Sequence, residues 1–253
     1  MAKVIAVANQ KGGVGKTTTT VNLAAGLAIA EQRTLVIDMD PQGNAGSGLG
    51  HPKRTLTRGV YDALIGRHPL AEVIVQTDVA QLGLVPATED LAGAEVELVE
   101  LSDRATRLRQ GLETLRDDYD FVLLDCPPSL GLLTVNALAA ADIVLVPLQC
   151  EYYALEGLSS LLGTVERVRA SLNPRLSIGG VLLTMFDPRN NLAHQVAEEV
   201  KRHFHTFTTV IPRNVRLSEA PGFGRPAILY DVASKGSQGY LSLAREILES
   251  RAA

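Results

Sequence analysis

A glycine-rich loop between an apolar run and a helical stretch is the feature that most constrains the fold of this chain. Residues 4–8 are continuously apolar, as in a strand covered on both faces. Residues 17–30 carry apolar side chains at helical spacing. Between them, residues 10–18 read QKGGVGKTT and end like a Walker A phosphate-binding loop, although Gln10 stands where that pattern has its first glycine. This order of strand, loop and helix predicts a phosphate site at the end of a buried strand.

The loop contains the groups that bind the phosphates of a nucleotide. Gly12, Gly13 and Gly15 lack Cβ atoms and tolerate positive φ, so that backbone N–H groups can approach phosphate oxygens closely. The following helix adds unpaired N–H groups and a favourable dipole at its N-terminus. We expect Lys16 to reach the β- and γ-phosphates and the Thr17 hydroxyl to bind Mg²⁺. The predicted nucleotide contacts of the loop are Gly12, Gly13, Val14, Gly15, Lys16, Thr17 and Thr18.

Apolar runs of strand length recur along the chain and alternate with helical stretches. The further predicted strands lie at residues 35–37, 121–124, 143–148 and 181–183, and the further predicted helices at 132–141, 155–171, 192–204 and 239–250. This alternation predicts an α/β fold with a doubly wound, mostly parallel sheet flanked by helices. Because no linker or repeat divides the chain, we expect residues 1–253 to form a single domain. Residues 46–86, which glycine and proline interrupt, give the least regular pattern.

Two of the predicted strands are followed by acidic residues. Asp38 and Asp40 follow the strand at 35–37; one of them could orient water while the other supports magnesium or the loop. The strand at 121–124 closes in Asp125, the Walker B arrangement, in which the carboxylate holds Mg²⁺. Phosphoryl transfer depends mainly on positioning and charge stabilisation, so these groups suffice for it.

Composition and charge exclude several other classes of protein. The net charge of -4 rules out a constitutively basic DNA-binding protein, so any binding of nucleic acid must be local. Two cysteines are too few for a disulfide framework or a four-cysteine zinc site, and the five histidines lack the spacing of metal ligands. Residues 1–8 are too short for a signal peptide, and no apolar run reaches the roughly 20 residues of a membrane span. We therefore expect a cytoplasmic protein.

Lys11 is a second lysine in the loop, which an ordinary phosphate-binding loop does not need. With it, residues 11–17 match the pattern K-G-G-x-G-K-[ST], and the sequence resembles the ParA/MinD group of P-loop ATPases, which carry this deviant Walker A loop. The resemblance implies a P-loop NTPase fold, ATP and Mg²⁺ as cofactors, and a weak Mg²⁺-dependent ATPase activity. It also implies a homodimer that encloses two ATP molecules, in which Lys11 touches the phosphates of the partner.

The same resemblance assigns roles to the acidic residues. By likeness to the D-x-D-P-Q segment of the family, Asp40 positions the attacking water and Asp38 supports the site. Lys11, Lys16 and Asp40 are thus the implied catalytic residues, and Thr17 and Asp125 are the implied magnesium ligands.

Longer segments resemble the chromosome-partition branch of that group, ParA/Soj, almost from end to end. They are residues 38–45, 91–95, 125–131, 149–157 and 211–221. This branch implies a DNA-partition ATPase that dimerises with ATP, binds DNA without sequence preference, and hydrolyses ATP when a ParB-type centromere-binding protein stimulates it. Its expected location is the nucleoid in the cytoplasm.

The likeness to ParA/Soj also implies contact residues in the last third of the chain. It places DNA contacts at Arg189 and Arg216, and the adenine base near Pro212 and Asn214. Residues 185–225 carry six basic and four acidic side chains, which is a modest excess of positive charge. A dimer would double this basic patch, so that phosphate binding would depend on dimerisation and therefore on ATP.

Two other functions stay open at this point. A MinD-like membrane-cycling ATPase that regulates division-site placement would use a C-terminal amphipathic membrane helix. Residues 239–253 have an apolar stripe with only Arg245 and Arg251 as basic residues, so we expect the stripe to pack on the core and expect no membrane partner. A metal-cluster carrier like nitrogenase iron protein would need cluster-ligating cysteines, and Cys126 follows the Walker B acid at a buried strand end with little room for a shared ligand.

Overall fold

A computed structural model of the chain describes residues 1–152 and 154–252. Tyr153, in the segment 149–157, and Ala253, at the end of the predicted domain, lie outside the described residues. The described residues contain a seven-stranded sheet. Its strands are β1 (Lys3–Val7), β2 (Thr34–Asp38), β3 (Val75–Gln76), β4 (Leu82–Val85), β5 (Phe121–Asp125), β6 (Ile143–Gln149) and β7 (Ser177–Thr184).

The spatial order of the strands is β3-β4-β2-β5-β1-β6-β7. All neighbours pair in parallel except β3 and β4, which are antiparallel. The chain leaves β1 for one side of the sheet through β2 and returns to the other side through β6, which is the doubly wound arrangement. The predicted α/β class is therefore confirmed.

Helices connect these strands. They are α1 (Lys16–Ile29), α2 (Asn44–Gly48), α3 (Val60–Ile65), α4 (Leu91–Glu97), α5 (Arg107–Glu113), α6 (Leu132–Ala140), α7 (Ala154–Ser171), α8 (Asn191–His203), α9 (Val215–Glu219), α10 (Ala227–Tyr230) and α11 (Lys235–Ala252). Short 3₁₀ turns lie at Lys53–Thr55, Leu70–Val73, Leu98–Glu100 and Ala220–Phe223. Each strand and helix predicted from the sequence occurs, with ends that differ by no more than four residues.

The sheet is covered on both faces by separate apolar layers. In β1, Val4 and Ala6 belong to the layer that contains the apolar side chains of α6, α7 and α8. Ile5 and Val7, which alternate with them, belong to the layer that contains those of α1 and α11. Since successive strand residues point to opposite faces, both faces must be apolar, and this explains the continuous apolar runs in the sequence.

The C-terminal helix α11 packs against α1 rather than presenting an apolar stripe to solvent. Tyr240, Leu243 and Ile247 are at most 5% exposed. A Cβ atom added at Gly26 of α1 would lie 3.1 Å from the Cβ of Ala244, so the two helices approach closely at this point. The expected packing of the stripe on the core is thus observed. Among the described residues, no helix is both long and apolar enough to cross a membrane.

The segment 46–86 contains elements that the sequence pattern did not reveal. Residues of β4 are all buried, and β4 lies between β2 and β3 in the sheet. Its residues pair with β2 from Thr34 to Ile37 although Gly83 interrupts the run. A four-residue strand with a central glycine has little intrinsic preference for a strand, so its position depends on tertiary pairing.

Candidate nucleotide-binding site

The glycine-rich loop leaves β1 at the carboxyl edge of the sheet and enters α1 directly. Gly13 and Gly15 have φ of +74° and +92°, which side chains rarely adopt. Gly12 does not have positive φ, and a Cβ atom added to it would meet nothing within 4 Å. Gly15 precedes the first turn of α1 and no side chain caps that turn, so its backbone N–H groups are available to an anion.

Lys16 places a buried ammonium under the loop. Its side chain is 7% exposed, and Nζ donates to the carbonyl oxygen of Lys11 at 3.0 Å. Burial lowers the pKa of Lys16, while the nearby carboxylates of Asp125 and Asp40 act in the opposite direction. One carbonyl uses only one of the three ammonium protons, so two remain for phosphate oxygens.

Asp125, the last residue of β5, is fully buried beside the start of α1. Its two oxygens accept hydrogen bonds from the hydroxyl groups of Thr17 at 2.7 Å and Thr20 at 3.0 Å. Burial raises the pKa of Asp125 to about 7, and the hydrogen bonds from both threonines and the charge of Lys16 oppose that rise. A hydroxyl oxygen next to a carboxylate oxygen is the kind of ligand pair that Mg²⁺ prefers. The predicted pair of magnesium ligands is therefore brought together, and it fits that ion.

The segment between β2 and α2 is organised by Asp38, which is fully buried and lies opposite Asp125 in the sheet. The Asp38 carboxylate accepts from the backbone N–H groups of Asp40 and Gly46, each at 3.1 Å. Burial first, and the charge of Asp125 second, raise the pKa of Asp38 well above its ordinary value. Asp38 therefore ties both ends of the loop that carries Asp40.

Asp40 lies at the mouth of the site and is 8% exposed. Its Oδ1 accepts from the backbone N–H of Gln42 at 2.9 Å. The same loop is tied on its outer side by Lys53, whose Nζ donates to the carbonyl oxygen of Pro41 at 2.7 Å. The two ties hold the Asp40 carboxylate at a defined place near Lys16 and Asp125.

The side chain of Lys11 is paired with a residue outside its own loop. Its ammonium pairs with the carboxylate of Glu151, which follows β6. The backbone at this point is fixed by Asn9, whose Oδ1 accepts from the N–H of Lys11 at 3.0 Å and whose Nδ2 donates to the carbonyl of Pro147 at 2.7 Å. No sequence motif marks Asn9 or Glu151 as part of the site, although Glu151 lies within one of the segments that resemble ParA/Soj.

The structure places Pro212 and Asn214, the predicted adenine contacts, next to the loop. A cavity of about 330 Å³ is lined by both residues and by Gly13, Gly15 and Thr18. Asn214 caps α9, because its Oδ1 accepts from the N–H of Arg216 at 3.0 Å. The cavity is large enough for part of a nucleotide, such as its base.

Thr184, at the end of β7, joins this cavity to the loop. It is 2% exposed, and its hydroxyl donates to the carbonyl oxygen of Val14 at 2.8 Å. Immediately beyond it, Phe186 pairs with the 211–212 segment through a hydrogen bond to Ile211 and a bridge to Pro212. Thr184, like Asn9 and Glu151, could not be identified from the sequence, since nothing in its local pattern indicates a contact 170 residues away.

The two predicted DNA contacts lie on neighbouring exposed segments outside this cavity. Arg189 lies between β7 and α8, and Arg216 lies in α9. A bridge between Phe186 and Pro212 places side by side the two segments that lead to these arginines. Arg189 and Arg216 therefore both lie a few residues beyond the same point of contact.

Cys126 is buried directly after the end of β5. It is 1% exposed, and burial raises the pKa of its thiol well above the ordinary value. Among residues 1–152 and 154–252, no three His, Cys, Asp or Glu side chains gather in a way that could hold a metal ion. These observations give no support to the metal-cluster carrier.

Comparison with known proteins gives consistent results. The AAA_31 family, described as an AAA domain, matches residues 2–178. The chain is 58% identical over 251 residues to the chromosome partitioning protein ParA of Myxococcus xanthus, covering 98% of this chain and 89% of that protein. It is 57% identical over 249 residues to the sporulation initiation inhibitor protein Soj of Bacillus subtilis, covering 98% of each.

Solved structures are similar over nearly the whole chain. Cobyrinic acid a,c-diamide synthase from Mycobacterium smegmatis, with bound ADP and magnesium, has a TM-score of 0.86 and 38% identity, covering 98% of this chain and 94% of that one. The septum site-determining protein MinD from Pyrococcus horikoshii, complexed with Mg-ADP, has a TM-score of 0.81 and 25% identity, covering 98% and 96%.

Proposed function

Because the chain belongs to the ParA/Soj chromosome-partitioning ATPases of the AAA_31 family, we propose that it is a DNA-partition ATPase acting as an ATP-bound homodimer. The predicted family and ATPase activity are confirmed by these relatives, and ATP and Mg²⁺ are its cofactors. The proposal goes further: the dimer binds DNA without sequence preference, and a ParB-type protein stimulates the hydrolysis that releases it. The observation that carries it is the group of Lys16, Thr17 and Asp125 at the end of the parallel strands, in which Lys16 and Asp125 are buried and the Thr17 hydroxyl donates to Asp125.

In the proposed mechanism, the loop holds the phosphates through backbone N–H groups that Gly13 and Gly15 expose. Lys16 supplies positive charge to the β- and γ-phosphates from a buried position. Thr17 and Asp125 would hold Mg²⁺, and bound Mg²⁺ would neutralise charge on the phosphate oxygens. The lysine and the loop thus bind and orient ATP before any bond changes.

Asp40 has the proposed role of orienting the attacking water. Its place is set by Asp38, whose buried carboxylate ties the backbone of the loop at Asp40 and at Gly46. A carboxylate held in this way accepts a hydrogen bond from water and directs its lone pair towards the γ-phosphate. Hydrolysis then depends on positioning, which suits a weak ATPase that a partner stimulates.

Lys11 is the proposed contact between protomers. In the single chain its ammonium is paired with Glu151 at the surface, and both side chains are partly exposed. An exposed ion pair is weak, so a γ-phosphate on the facing protomer can compete for the ammonium. ADP lacks that phosphate, which makes the dimer dependent on ATP.

DNA is the proposed partner of the surface that contains Arg189 and Arg216. Two copies of this surface in a dimer give a salt-sensitive contact with DNA phosphates, whereas one mildly acidic chain does not. The proposed location is accordingly the nucleoid in the cytoplasm. We also propose that residues 1–253 act as one domain. The MinD-like alternative is less favoured, because the apolar stripe of α11 is buried against α1.

The test is DNA binding at several salt concentrations with ATP, with ADP and without nucleotide. We expect binding only with ATP, and we expect the Arg189→Glu, Arg216→Glu double variant to lose it while still binding ATP. Equal DNA binding by the apo protein and by the double variant would contradict the proposal. ATP turnover with DNA and a ParB N-terminal peptide, separately and together, tests the stimulation, and flotation with liposomes tests the MinD-like alternative.

A further inference from the structure

Both arginines that are proposed to contact DNA already have carboxylate partners within the chain. The guanidinium group of Arg189 donates through Nε and Nη2 to the two oxygens of Asp187, at 3.0 and 2.9 Å. Arg216 lies 2.8 Å from Glu219 through Nη1 and 3.1 Å from Asp231 through Nε. The positive charge of these two side chains is therefore compensated on the protein surface itself.

Two other arginines of the same region differ in this respect. Within residues 1–152 and 154–252, neither Arg213 nor Arg225 has a carboxylate within 4.0 Å. Arg213 lies near enough to Asp187 for its charge to contribute to lowering the pKa of that carboxyl to about 2, after the larger effect of the hydrogen bonds from Arg189. Asp187 therefore lies in the field of two arginines.

The pairing of Arg189 with Asp187 has the form that a phosphate contact would take. Two parallel N–H···O bonds from one face of the guanidinium group are the geometry with which arginine binds a phosphate as well as a carboxylate. A phosphate that used the same N–H groups would have to displace Asp187. Because the Arg189 side chain is 88% exposed, the pair is screened and weak, so a polyanion can displace the carboxylate.

We propose that Asp187 competes with DNA phosphate for Arg189 and thereby sets the DNA affinity of each protomer. This inference rests on the proposed DNA binding and concerns how that surface is regulated. The carboxylate lowers the DNA affinity of a single protomer and thereby adds to the dependence of DNA binding on a dimer with two copies of the surface. An exposed pair of this kind is worth about 1.5- to 5-fold in affinity per copy, or about 2- to 25-fold for a dimer that uses both.

The deciding variant is Asp187→Asn. The Asp187 Oδ1 also accepts the backbone N–H of Arg189 at 3.0 Å, and the amide oxygen of asparagine can keep that bond while the charge is lost. We expect the variant to bind DNA about 2- to 25-fold more tightly with ATP. We also expect a steeper dependence on salt, by about one counterion per copy, because Arg189 is no longer neutralised before DNA arrives.

Two controls separate this effect from a general change of charge. Glu166→Gln removes the exposed partner of Arg169 on α7, at 2.7 Å, and changes the net charge equally. It should leave DNA affinity within about 1.5-fold of the wild type, which is the smallest change in affinity expected from an exposed ion pair. The gain from Asp187→Asn should disappear in a background that carries Arg189→Ala. ATP turnover without DNA should be unchanged in the single Asp187 variant.

The outcomes are distinguishable. Tighter binding and a steeper salt slope for Asp187→Asn, absent from both controls, support the inference. An affinity and slope equal to those of the wild type, or the same gain in the Arg189→Ala background, overturn it and leave the proposed function intact. If the wild-type protein with ATP shows no salt-sensitive DNA binding, the proposed function fails and the inference fails with it.

Discussion

The ammonium of Lys11 forms an ion pair with the carboxylate of Glu151 in the same chain, 140 residues away. The pair joins the phosphate-binding loop to the end of β6 at the edge of the site. In the single chain, the Lys11 ammonium is therefore already paired with a carboxylate before a second protomer binds. The proposed contact of Lys11 with the partner's nucleotide therefore requires an exchange of one anionic partner for another.

Lys11→Ala should separate ATP binding from dimerisation. The ammonium of Lys11 pairs with Glu151 rather than with a group of its own loop, so the variant should bind fluorescent ATP within a few-fold of the wild type. It should remain a monomer in size-exclusion chromatography with ATP, because the contact that senses the partner's γ-phosphate is absent. Lys16→Ala is the matched control, because it removes the buried ammonium. It should lower the free energy of ATP binding by about 2–3 kcal/mol, which weakens ATP binding about 100-fold. An ATP-dependent dimer of Lys11→Ala would contradict the role of Lys11.

The two acidic residues of the 38–40 segment should give different phenotypes. Asp40→Ala leaves the buried network of Asp38 intact, so it should fold normally, hold an ATP dimer and lose most ATP turnover. Asp38→Ala deprives two backbone N–H groups of their acceptor. Each loss should lower the free energy of unfolding by about 1–3 kcal/mol, so the urea midpoint of unfolding should fall. Phosphate release and urea denaturation of both variants check this. Normal turnover in Asp40→Ala would exclude its role with water.

Stability without nucleotide should fall as pH rises towards neutrality, and Asp125 should be one cause. Burial raises the pKa of Asp125 to about 7, whereas in the unfolded chain the carboxyl ionises near its ordinary value of 3.8. Between these values the folded state binds more protons than the unfolded state, so the free energy of unfolding decreases with pH and levels off above about 7. Asp125→Asn removes this contribution, and its urea midpoints should change less between about pH 5 and pH 7.

A second aspartate provides the control for that pH profile. The pKa of Asp187 is lowered to about 2 by Arg189, so its carboxyl is ionised in both states across this range. Asp187→Asn should therefore keep the slope of the wild-type profile between about pH 5 and pH 7. Identical slopes for the wild type and Asp125→Asn would show that the buried Asp125 carboxyl does not titrate as proposed.

How much the sequence predicts depends on whether a contact is local. The loop, the strand β1 and the helix α1 follow each other directly, so their pattern predicts the phosphate site and the glycine positions. The carboxyl ends of parallel strands meet at one edge, which brings Asp125 to Thr17 even though they are distant in the chain. Long apolar runs and motifs at strand ends are thus sufficient to predict which residues form the centre of the site.

Contacts made by residues without a motif could not be predicted in this way. Glu151 and Thr184 reach the loop through β6 and β7, and only the tertiary arrangement of those strands brings them there. The strand β4 was missed because four residues with a central glycine carry almost no periodicity, and pairing with β2 decides their conformation. The carboxylate partners of Arg189 and Arg216 were missed because charge counts do not reveal which charges pair.

Thr184→Val should weaken the support of the loop without changing its sequence. The hydroxyl of Thr184 donates to the carbonyl oxygen of Val14, and both residues are buried. The valine variant keeps the shape but leaves that carbonyl without its donor, which costs about 1–3 kcal/mol of stability. ATP affinity should fall as the loop becomes less ordered. Thr184→Ser keeps the hydroxyl and should therefore retain the ATP affinity of the wild type. Urea unfolding and ATP titration of both variants test this. Equal ATP affinity of the two variants would rule out the contact as a support of the loop.

Gly12→Val should block dimerisation while leaving the monomer intact. A Cβ atom at this position would meet nothing within 4 Å in the single chain, and the φ of Gly12 is not positive, so the backbone of the monomer does not oppose a side chain there. In the proposed dimer the same space is where the facing protomer approaches the nucleotide. The variant should therefore unfold at the wild-type urea midpoint yet stay monomeric with ATP. Gly15→Val is the contrasting variant: its φ of +92° strains any side chain, so it should lose stability by about 1–3 kcal/mol. Normal ATP-dependent dimers of Gly12→Val, seen by size-exclusion chromatography with light scattering, would mean that the loop does not face a second protomer.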